Sequence, residues 1–553
     1  MIRATALGLI LLFISSVQAS DLMSPDIMRQ LGLTQAWARP IPTPAGAQTI
    51  ADQQFHVHQE NPRKYVEIVE KSDDSAAQPA AEQPANGQPA TMEAKDDRRI
   101  IARIPIDRIG TDGLPIGKKE AERLASNEIR RLKRRGIEAE IGYRTVPRVH
   151  LYSISVDGVL DCRDAETGEP IWMVGVGDRR LSYGALGTSE KYITVINGGN
   201  LITVEAETGE AIEEVDMMGA SSFGAINSGA FAMVPIIGGG IAGYPLADPT
   251  RDPFKEIVEG SALALPIKAP KSTRIAWGTD RQFVYVMEMQ GDPSVLFRLK
   301  TDGIVSGRIA TATGDRFFFG SENGQVYAVW GTRTGRVLWT VPFGEPFYNE
   351  PVIVDDKLLI RSAYGNLHSL NLETGAINWD RPISNVDEMI AAFGGRVYVT
   401  TLSGSLGVID LESGKQIAQF QNIRPTRLLV NRTTDRLFLV SDSGEVQCLR
   451  EEDSVLPTFN VQPEIVMDEE KPADGPAAKP GVDPFETGDP SDPFGGGGMG
   501  GGNDPFGGGA GGGNDPFGGG GAGGNDPFGG GADPFGGAGG GDAGGNPFGG
   551  NPF

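Results

Sequence analysis

The histidines are the side chains of this sequence with the most distinctive metal-binding chemistry. His56 and His58 alternate in a segment typical of a β-strand, so both imidazoles would point to the same face of that strand. Two histidines do not complete a metal site, and the other two, His150 and His368, lie far along the chain. The sequence therefore predicts no metal centre and no bound cofactor.

Any functional residue would be positioned by a strand–turn–strand pattern that returns about every 40 residues. Its first half is a short β-rich run, seen at 150–155, 191–196, 230–235, 282–287, 316–319, 357–360, 396–400 and 436–440. Its second half is a strand and a turn that ends at a glycine, clearest at Gly168, Gly209, Gly335, Gly375 and Gly414. The gap after Gly209 predicts two degraded copies at 239–249 and 295–303, and a truncated copy follows at 444–454. Both halves therefore count eight.

Each unit alternates apolar and polar residues, turns at glycine and alternates again, which is typical of four short antiparallel strands. Sheets of this kind, arranged radially and packed on their neighbours, form a β-propeller. The predicted fold is all-β: an eight-bladed β-propeller of four-stranded antiparallel blades over 146–456, with a short N-terminal α/β extension and a disordered C-terminal tail. An open β-solenoid is the main alternative, but its rungs are usually shorter than this period.

Three copies place a tryptophan four residues after the closing glycine, in DAETGEPIW, TRTGRVLW and LETGAINW, which end at Trp172, Trp339 and Trp379. These segments resemble the repeat of PQQ-type β-propellers, whose pattern is roughly Ala-x-Asp-x-x-Thr-Gly-x-x-x-Trp. The resemblance covers about 146–456. It implies either a quinoprotein dehydrogenase or a non-enzymatic envelope scaffold similar to the outer-membrane assembly factor BamB.

The dehydrogenase branch of that family would need a calcium ion, an aspartate base and a disulfide of adjacent cysteines beside the quinone. This sequence has no adjacent cysteines, and its repeating tryptophans predict packing between blades rather than stacking on one cofactor. The expected function is therefore that of an exported, non-enzymatic scaffold for protein–protein interactions in the cell envelope. A PQQ- and calcium-dependent dehydrogenase is the alternative.

Cys162 and Cys448 lie six residues before the closing positions of the first and last repeats, Gly168 and Ser454. Ring closure makes these two blades neighbours. However, equivalent points about three strand spacings from the axis are roughly 10–13 Å apart, about twice the Cα separation of a disulfide. We therefore expect two buried and unpaired thiols.

The N-terminal segments predict export and a small extension. Residues 1–19 are typical of a secretory signal peptide, with an uncleaved anchor as the alternative, and no cysteine follows for lipid attachment. A hairpin that turns at 60–62 is predicted within 20–71, followed by an Ala/Gln/Pro-rich linker at 72–97. In 98–145 a strand at 98–106 precedes a helix. That strand, or the one beginning at Val149, is expected to complete the last blade.

The predicted helix ends in a basic cluster, which comprises Arg130, Arg131, Lys133, Arg134 and Arg135. These residues could bind an acidic partner or an anionic headgroup. The alternative is a solvated face that complements the helix dipole and the acidic remainder of the protein. The net charge of −23 argues against a general nucleic-acid binder.

Residues 457–553 form a Gly-rich tail with eight Asp-Pro-Phe or Asn-Pro-Phe motifs. The tail has too little apolar content to fold and is expected to be disordered. Its evenly spaced phenylalanines, such as Phe506, Phe517 and Phe528, are suited to multivalent weak binding of envelope or secreted proteins. A low-complexity expansion without a dedicated partner is the alternative.

Overall fold

The computed structural model describes residues 21–43, 45–71, 99–110 and 113–461. The predicted signal peptide, the linker and the tail from residue 462, which includes Phe506, Phe517 and Phe528, lie outside these residues. The predicted start of the disordered tail at 457 is wrong, because 457–461 are described and Phe459 is buried in the core between blades 8 and 1. The N-terminal elements are α1 (Pro25–Gln30), β1 (Leu33–Pro40), a 3₁₀ helix (Ala47–Thr49), β2 (Ile50–Glu70), β3 (Ile100–Pro105), α2 (Gly117–Arg134) and β4 (Ala139–Ser155). No helix within the described ranges is long and apolar enough to cross a membrane.

The strands form eight antiparallel sheets, so the prediction of an eight-bladed propeller is confirmed. Blade 1 contains the first half of β2, then β4, β5 (Val159–Asp164) and β6 (Pro170–Gly175). Blades 2 to 4 are β7–β10 (Gly187–Thr188, Tyr192–Asn197, Asn200–Glu205, Ala211–Asp216), β11–β14 (Ile226–Ser228, Phe231–Pro235, Ile241–Pro245, Phe254–Glu256) and β15–β18 (Ile267–Lys268, Ile275–Gly278, Phe283–Glu288, Ser294–Lys300).

The second half of the ring has the same plan. Blades 5 to 7 are β19–β22 (Ala310–Ala312, Arg316–Gly320, Gln325–Trp330, Arg336–Pro342), β23–β25 (Val352–Val354, Lys357–Arg361, Leu367–Asn371) and β26–β29 (Val386–Phe393, Arg396–Thr401, Leu406–Asp410, Gln416–Phe420). Blade 8 contains β30 (Arg427–Leu429), β31 (Leu437–Val440), β32 (Glu445–Glu451) and β1. Blade 6 has three strands, with two isolated bridges, Leu370 to Ile377 and Leu367 to Ile383, in place of the fourth.

The first strand of each blade is innermost and the fourth is outermost. First strands of adjacent blades contact one another from blade 2 to blade 6, whereas fourth strands such as β6 and β10 are largely exposed. The core lies between blades, because apolar clusters join blade 1 to blade 2 and blade 5 to blade 6. Cys162 and Cys448 are buried in two such clusters, and both are free thiols in the structure.

The ring is closed by β1, which pairs antiparallel with β32 from Leu33 opposite Glu451 to Pro40 opposite Glu445. The prediction that 98–106 or the segment from Val149 completes the last blade is therefore wrong. The first of these segments is β3, which pairs with β2, and the second lies in β4, the second strand of blade 1. The closing strand was hard to identify because LTQAWARP alternates only weakly in hydropathy.

The predicted hairpin at 60–62 is also wrong, because β2 continues in one direction and pairs with β4 along both of its halves. The register shifts between His58 and Arg63, so the segment around Pro62 is a bulge. Proline cannot donate a ladder hydrogen bond and is tolerated at such a position. The far halves of β2 and β4 join β3 and α2 in the α/β extension, where Ala121, Ala125 and Leu132 pack against Val66 and Ile68.

Blade 4 corrects one repeat assignment. The run at 282–287 is the third strand of its blade rather than the second, and 295–303 falls on the fourth strand and its end. The second strand is β16, which starts at Ile275, so second strands of blades 3, 4 and 5 start at Phe231, Ile275 and Arg316, 44 and 41 residues apart. The sequence placed the second strand of blade 4 wrongly because this copy lacks the closing-glycine signature.

Candidate functional site

The strand order gives the propeller two different faces. Antiparallel strands alternate in direction, so loops between blades and turns between second and third strands share one face, which we name the connecting face. Turns between first and second strands, and between third and fourth strands, share the opposite face. The α/β extension continues from blade 1 on that side, because β2 starts at Ile50 beside the turn that follows Ser155. We name this side the extension face.

The repeat tryptophans join one blade to the next. Each indole lies on the outer strand or edge of one blade and covers the closing glycine of the following blade, in the pairs Trp37–Gly168, Trp172–Gly209, Trp339–Gly375 and Trp379–Gly414. Each indole Nε1–H donates to the carbonyl three residues before that glycine, on Ala165 (2.9 Å), Ala206 (2.9 Å), Leu372 (3.1 Å) and Leu411 (3.2 Å). We name this arrangement the Trp–Gly latch.

The latch depends on the backbone conformation of the closing glycine and on the side chain that caps its turn. The closing glycines adopt left-handed backbone, and a Cβ on Gly168 would lie 2.5 Å from Trp37. Four residues before Gly168, Gly375 and Gly414 an acidic or amide side chain caps the turn, as where Asp164 Oδ1 accepts hydrogen bonds from the Glu166 and Thr167 amides, both at 2.9 Å. Gly335 departs from the pattern, because Phe297 covers it in place of a tryptophan.

Three of the four histidines converge where β2 leaves blade 1. His56 and His58 project from one face of β2, with ring centroids 4.7 Å apart, and the His58 ring lies 4.2 Å from that of His150 on β4. Glu190, in the turn between the first two strands of blade 2, places Oε1 3.6 Å from His56 Nε2 and Oε2 3.3 Å from His58 Nδ1. Tyr152 places its hydroxyl 3.1 Å from His58 Nε2 and 3.3 Å from His150 Nδ1.

The electrostatics of this histidine cluster follow from its burial. Burial lowers the pKa of His56, and burial together with the neighbouring histidines lowers the pKa of His150 to about 3. Burial also disfavours ionisation of Glu190, but interactions with His56, His58 and the Gln59 amide outweigh it and hold the pKa of that carboxyl well below its usual range. At neutral pH the cluster therefore presents uncharged imidazoles at His56 and His150 beside an ionised carboxylate.

The connecting face carries a set of exposed large apolar side chains. They belong to loops between blades or to turns between second and third strands, and they are Val156, Leu181, Met218, Phe223, Ile237, Ile257, Tyr348, Tyr364 and Leu402. Ile257 is 81% exposed. On the extension face, within the described residues, the comparable side chains are Trp330, Val455 and Val461 on the turns and closing segment, and Ile100, Ile109, Leu114 and Tyr143 on the α/β extension.

The extension face exposes fewer large apolar side chains on its turns than the connecting face does. It holds a cavity of about 490 Å³, lined by the ends of the first strands of blades 4 to 6 and by Glu350, Arg432 and Asn460. Arg432 pairs with Glu350 at 2.8 Å. The basic cluster at the end of α2 is exposed on the extension, and its members are Arg130, Arg131, Lys133, Arg134 and Arg135.

Sequence reasoning identified His56 and His58 but missed Glu190, Tyr152 and the apolar residues of the connecting face. Glu190 is 132 positions from His58, and only the register of the propeller brings them together. Treating His56 as part of a first strand, next to the first turn of blade 2, would have pointed to Glu190. The basic cluster and the histidine cluster are separate features of the extension face.

Fold and latches together define a β-propeller built from PQQ-like repeats. Residues 272–450 match the family model described as "Outer membrane protein assembly factor BamB". Curated BamB proteins of Shewanella oneidensis and Yersinia pestis are 27% and 35% identical over 122 and 124 residues, each covering 21% of this chain. These matches show that the propeller carries PQQ-like repeats similar to those of BamB, as its motif predicted.

The matches are partial in length. The aligned segments are 31% and 30% of the two curated relatives, so the chain spans less than a third of their length. The crystal structure of BamB from Moraxella catarrhalis is 18% identical and covers 55% of this chain and 92% of that one, with a TM-score of 0.43.

Proposed function

We propose that this protein is an exported, non-enzymatic scaffold of the cell envelope whose connecting face binds other envelope proteins. The relatives are named outer membrane protein assembly factors, and we extend to this chain a role in that class of process. The signal-peptide pattern of 1–19 favours export.

The observation that carries the proposal is the distribution of exposed apolar side chains. Single exposed hydrophobic residues are ordinary, but apolar groups gathered on one surface are typical of interaction sites. Nine large ones lie in connections that share the connecting face, including Met218, Ile237, Ile257 and Tyr364. Connections on a rigid scaffold can present such groups without disturbing the core, which lies between the blades.

The tryptophans support a structural rather than a catalytic role for the repeats. Each latch indole is already packed on a glycine and bonded to a carbonyl of the next blade, so these side chains do not present a free stacking surface to a quinone. We therefore expect no saturable PQQ binding in the presence of calcium, and no reduction of an artificial electron acceptor with alcohols or sugars. Tryptophan fluorescence and dye reduction measure both.

The scaffold role is tested by capturing partners from envelope extracts with the wild-type chain and with a variant of the connecting face. Ile237→Ser, Ile257→Ser and Tyr364→Ser together remove three exposed apolar groups. The matched control, Ile171→Ser with Ile212→Ser and Ile417→Ser, removes three exposed isoleucines from the outer strands. We expect the wild type and the control to retain the same envelope proteins and the connecting-face variant to lose them.

Circular dichroism must show that both triple variants are folded. Equal capture by the two variants would refute the assignment of the interaction to the connecting face. Turnover of an alcohol or sugar with bound PQQ would replace the scaffold role by the dehydrogenase alternative.

A further inference from the structure

We propose that His56, His58 and Glu190 form a binding site for a divalent transition-metal ion of the zinc class. This site is independent of the proposed scaffold role, and it lies on the extension face rather than on the connecting face. The three residues come from two blades, since the histidines are on β2 of blade 1 and Glu190 belongs to the first turn of blade 2.

The donor atoms already have nearly the spacing that a metal requires. Two ligands bound tetrahedrally to Zn²⁺ at about 2.0–2.1 Å lie roughly 3.3–3.5 Å apart. Here the two carboxylate oxygens are 3.6 Å and 3.3 Å from His56 Nε2 and His58 Nδ1, and one donor atom from each of the three residues lies within 4.8 Å of the others. Small side-chain rotations would complete the geometry.

His56 offers a donor that the protein does not otherwise use. Its Nε2 is buried and has no hydrogen-bond partner among the described residues, since Glu190 Oε1 lies just beyond hydrogen-bond distance. Buried polar atoms without a partner are uncommon in folded proteins, and a metal ion bound here would satisfy this one. Two imidazoles with one carboxylate form a donor set that zinc and its first-row neighbours prefer, with a position left for water.

A second set of contacts orients His58. Its Nε2–H can donate to the Tyr152 hydroxyl, which can donate in turn to Nδ1 of His150. This chain of hydrogen bonds leaves the Nδ1 lone pair of His58 facing Glu190 at 3.3 Å, where only a proton or a metal ion between the two groups is stabilising. Gln59 fixes the Glu190 carboxylate from the other side, because the backbone N–H of Gln59 donates to Oε1 of Glu190 at 3.0 Å.

Lys268 is the competing cation. It lies on β15 of blade 4 and interacts electrostatically with both His56 and Glu190. A bound dication would be repelled by this ammonium group, so Lys268→Met is expected to tighten metal binding severalfold. Tighter metal binding in Lys268→Met would indicate a metal site. If Glu190 only forms an ion pair with Lys268, the substitution would not increase the affinity for a metal ion.

The test is isothermal titration of chelator-treated full-length protein with ZnCl₂, after purification through a tag that contains no histidine. We expect one site per chain that His56→Gln and Glu190→Gln each weaken by at least tenfold, and that Tyr152→Phe weakens by about tenfold. His368→Gln is the matched control, because His368 also faces a glutamate, Glu345, at 3.7 Å but has no second histidine beside it. Its affinity should equal that of the wild type.

Cobalt(II) provides a second readout, since a tetrahedral site with imidazole ligands gives a visible absorption band that nonspecific binding to acidic residues does not. Loss of this band in Glu190→Gln, with folding unchanged by circular dichroism, would support the site. Zinc binding that survives His56→Gln and Glu190→Gln unchanged, or no stoichiometric binding by the wild type, would overturn the proposal.

Discussion

Junctions between blades are of two kinds in this propeller, latched and unlatched. Tryptophan latches join blades 8 and 1, 1 and 2, 5 and 6, and 6 and 7, and Phe297 partly replaces one between blades 4 and 5. At the junctions after blades 2 and 7 the position four residues beyond the closing glycine holds Glu213 and Ala418. The latch is therefore one means of joining blades rather than a requirement of the fold.

Unlatched junctions use other apolar groups. Val215 and Met217 pack against the cluster shared by blades 2 and 3, and at the junction of blades 7 and 8 the residues Met28 and Leu31 of the N-terminal segment join the core. The repeat motif therefore contains the residues by which a blade contacts its neighbour. The alternation of apolar residues within strands determines the formation of the blade's own sheet.

The closing junction between blades 8 and 1 combines several kinds of contact. Besides the Trp37 latch, the fully buried Arg436 bonds Glu166 of blade 1 at 2.9 Å, and Arg427 donates to the carbonyl of Ile50 at 2.6 Å. The chain passes from β1 of blade 8 through the 3₁₀ helix to β2 of blade 1, so the ring is closed without a covalent connection only where β1 pairs with β32 inside blade 8. We therefore expect ring stability to depend strongly on the contacts of β1, which Trp37 joins to blade 1.

The largest expected effect is that of Trp37→Ala. The substitution removes a buried indole and its bond to Ala165, and such truncations cost about 3–5 kcal/mol of unfolding free energy. Chemical denaturation followed by circular dichroism measures the loss. Glu213→Ala, at the corresponding unlatched position, should change stability by no more than about 0.5 kcal/mol. Equal losses in the two variants would remove the distinction between the junctions.

The next prediction concerns the pH dependence of the closing junction. Burial raises the pKa of Glu166 from 4.5 to about 7, although Arg436 opposes the shift, while Asp164 and Asp435 add to it. The folded state therefore binds the proton before the unfolded state does as the pH falls. The stabilisation from this proton is fully present below about pH 4.5 and is lost as the pH rises through 7.

Glu166→Gln removes this titration, so the stability of the wild type relative to the variant should fall by up to about 3 kcal/mol between pH 4.5 and 8. Denaturation of both proteins at several pH values measures the difference and cancels the titration of other groups. A difference that does not change with pH would show that Glu166 stays ionised beside Arg436.

The sequence was sufficient for the number of blades because two periodic signals agreed on it, the apolar runs and the closing glycines. It was insufficient for ring closure, because β1 lies far from β32 in sequence and its pairing depends on long-range geometry. The candidate metal site was half visible for the same reason: His56 and His58 are local, whereas Glu190 and Tyr152 join them only through pairing of strands and packing of blades.

A smaller effect is expected when a latch loses only its hydrogen bond. Trp339→Phe keeps an aromatic ring over Gly375 but leaves the Leu372 carbonyl without its indole donor, which should cost about 1–2 kcal/mol. Trp330→Phe is the matched control, because its indole bonds Gly314 within the same blade and the side chain is 42% exposed. Trp330→Phe should lower the unfolding free energy less than Trp339→Phe does. A larger decrease in Trp330→Phe would show that the hydrogen bond between blades does not contribute to stability.

The smallest expected effect is that of Glu213→Trp, which supplies the indole of a latch at the unlatched junction of blades 2 and 3. A latch needs a glycine beneath the ring, and the corresponding turn of blade 3, Leu246 to Arg251, contains none. The new indole should therefore stay exposed and change the unfolding free energy by no more than about 0.5 kcal/mol. Denaturation beside the wild type measures this. A gain above about 1 kcal/mol would show that tryptophan alone can join two blades, and that the closing glycine follows from the indole rather than being required by it.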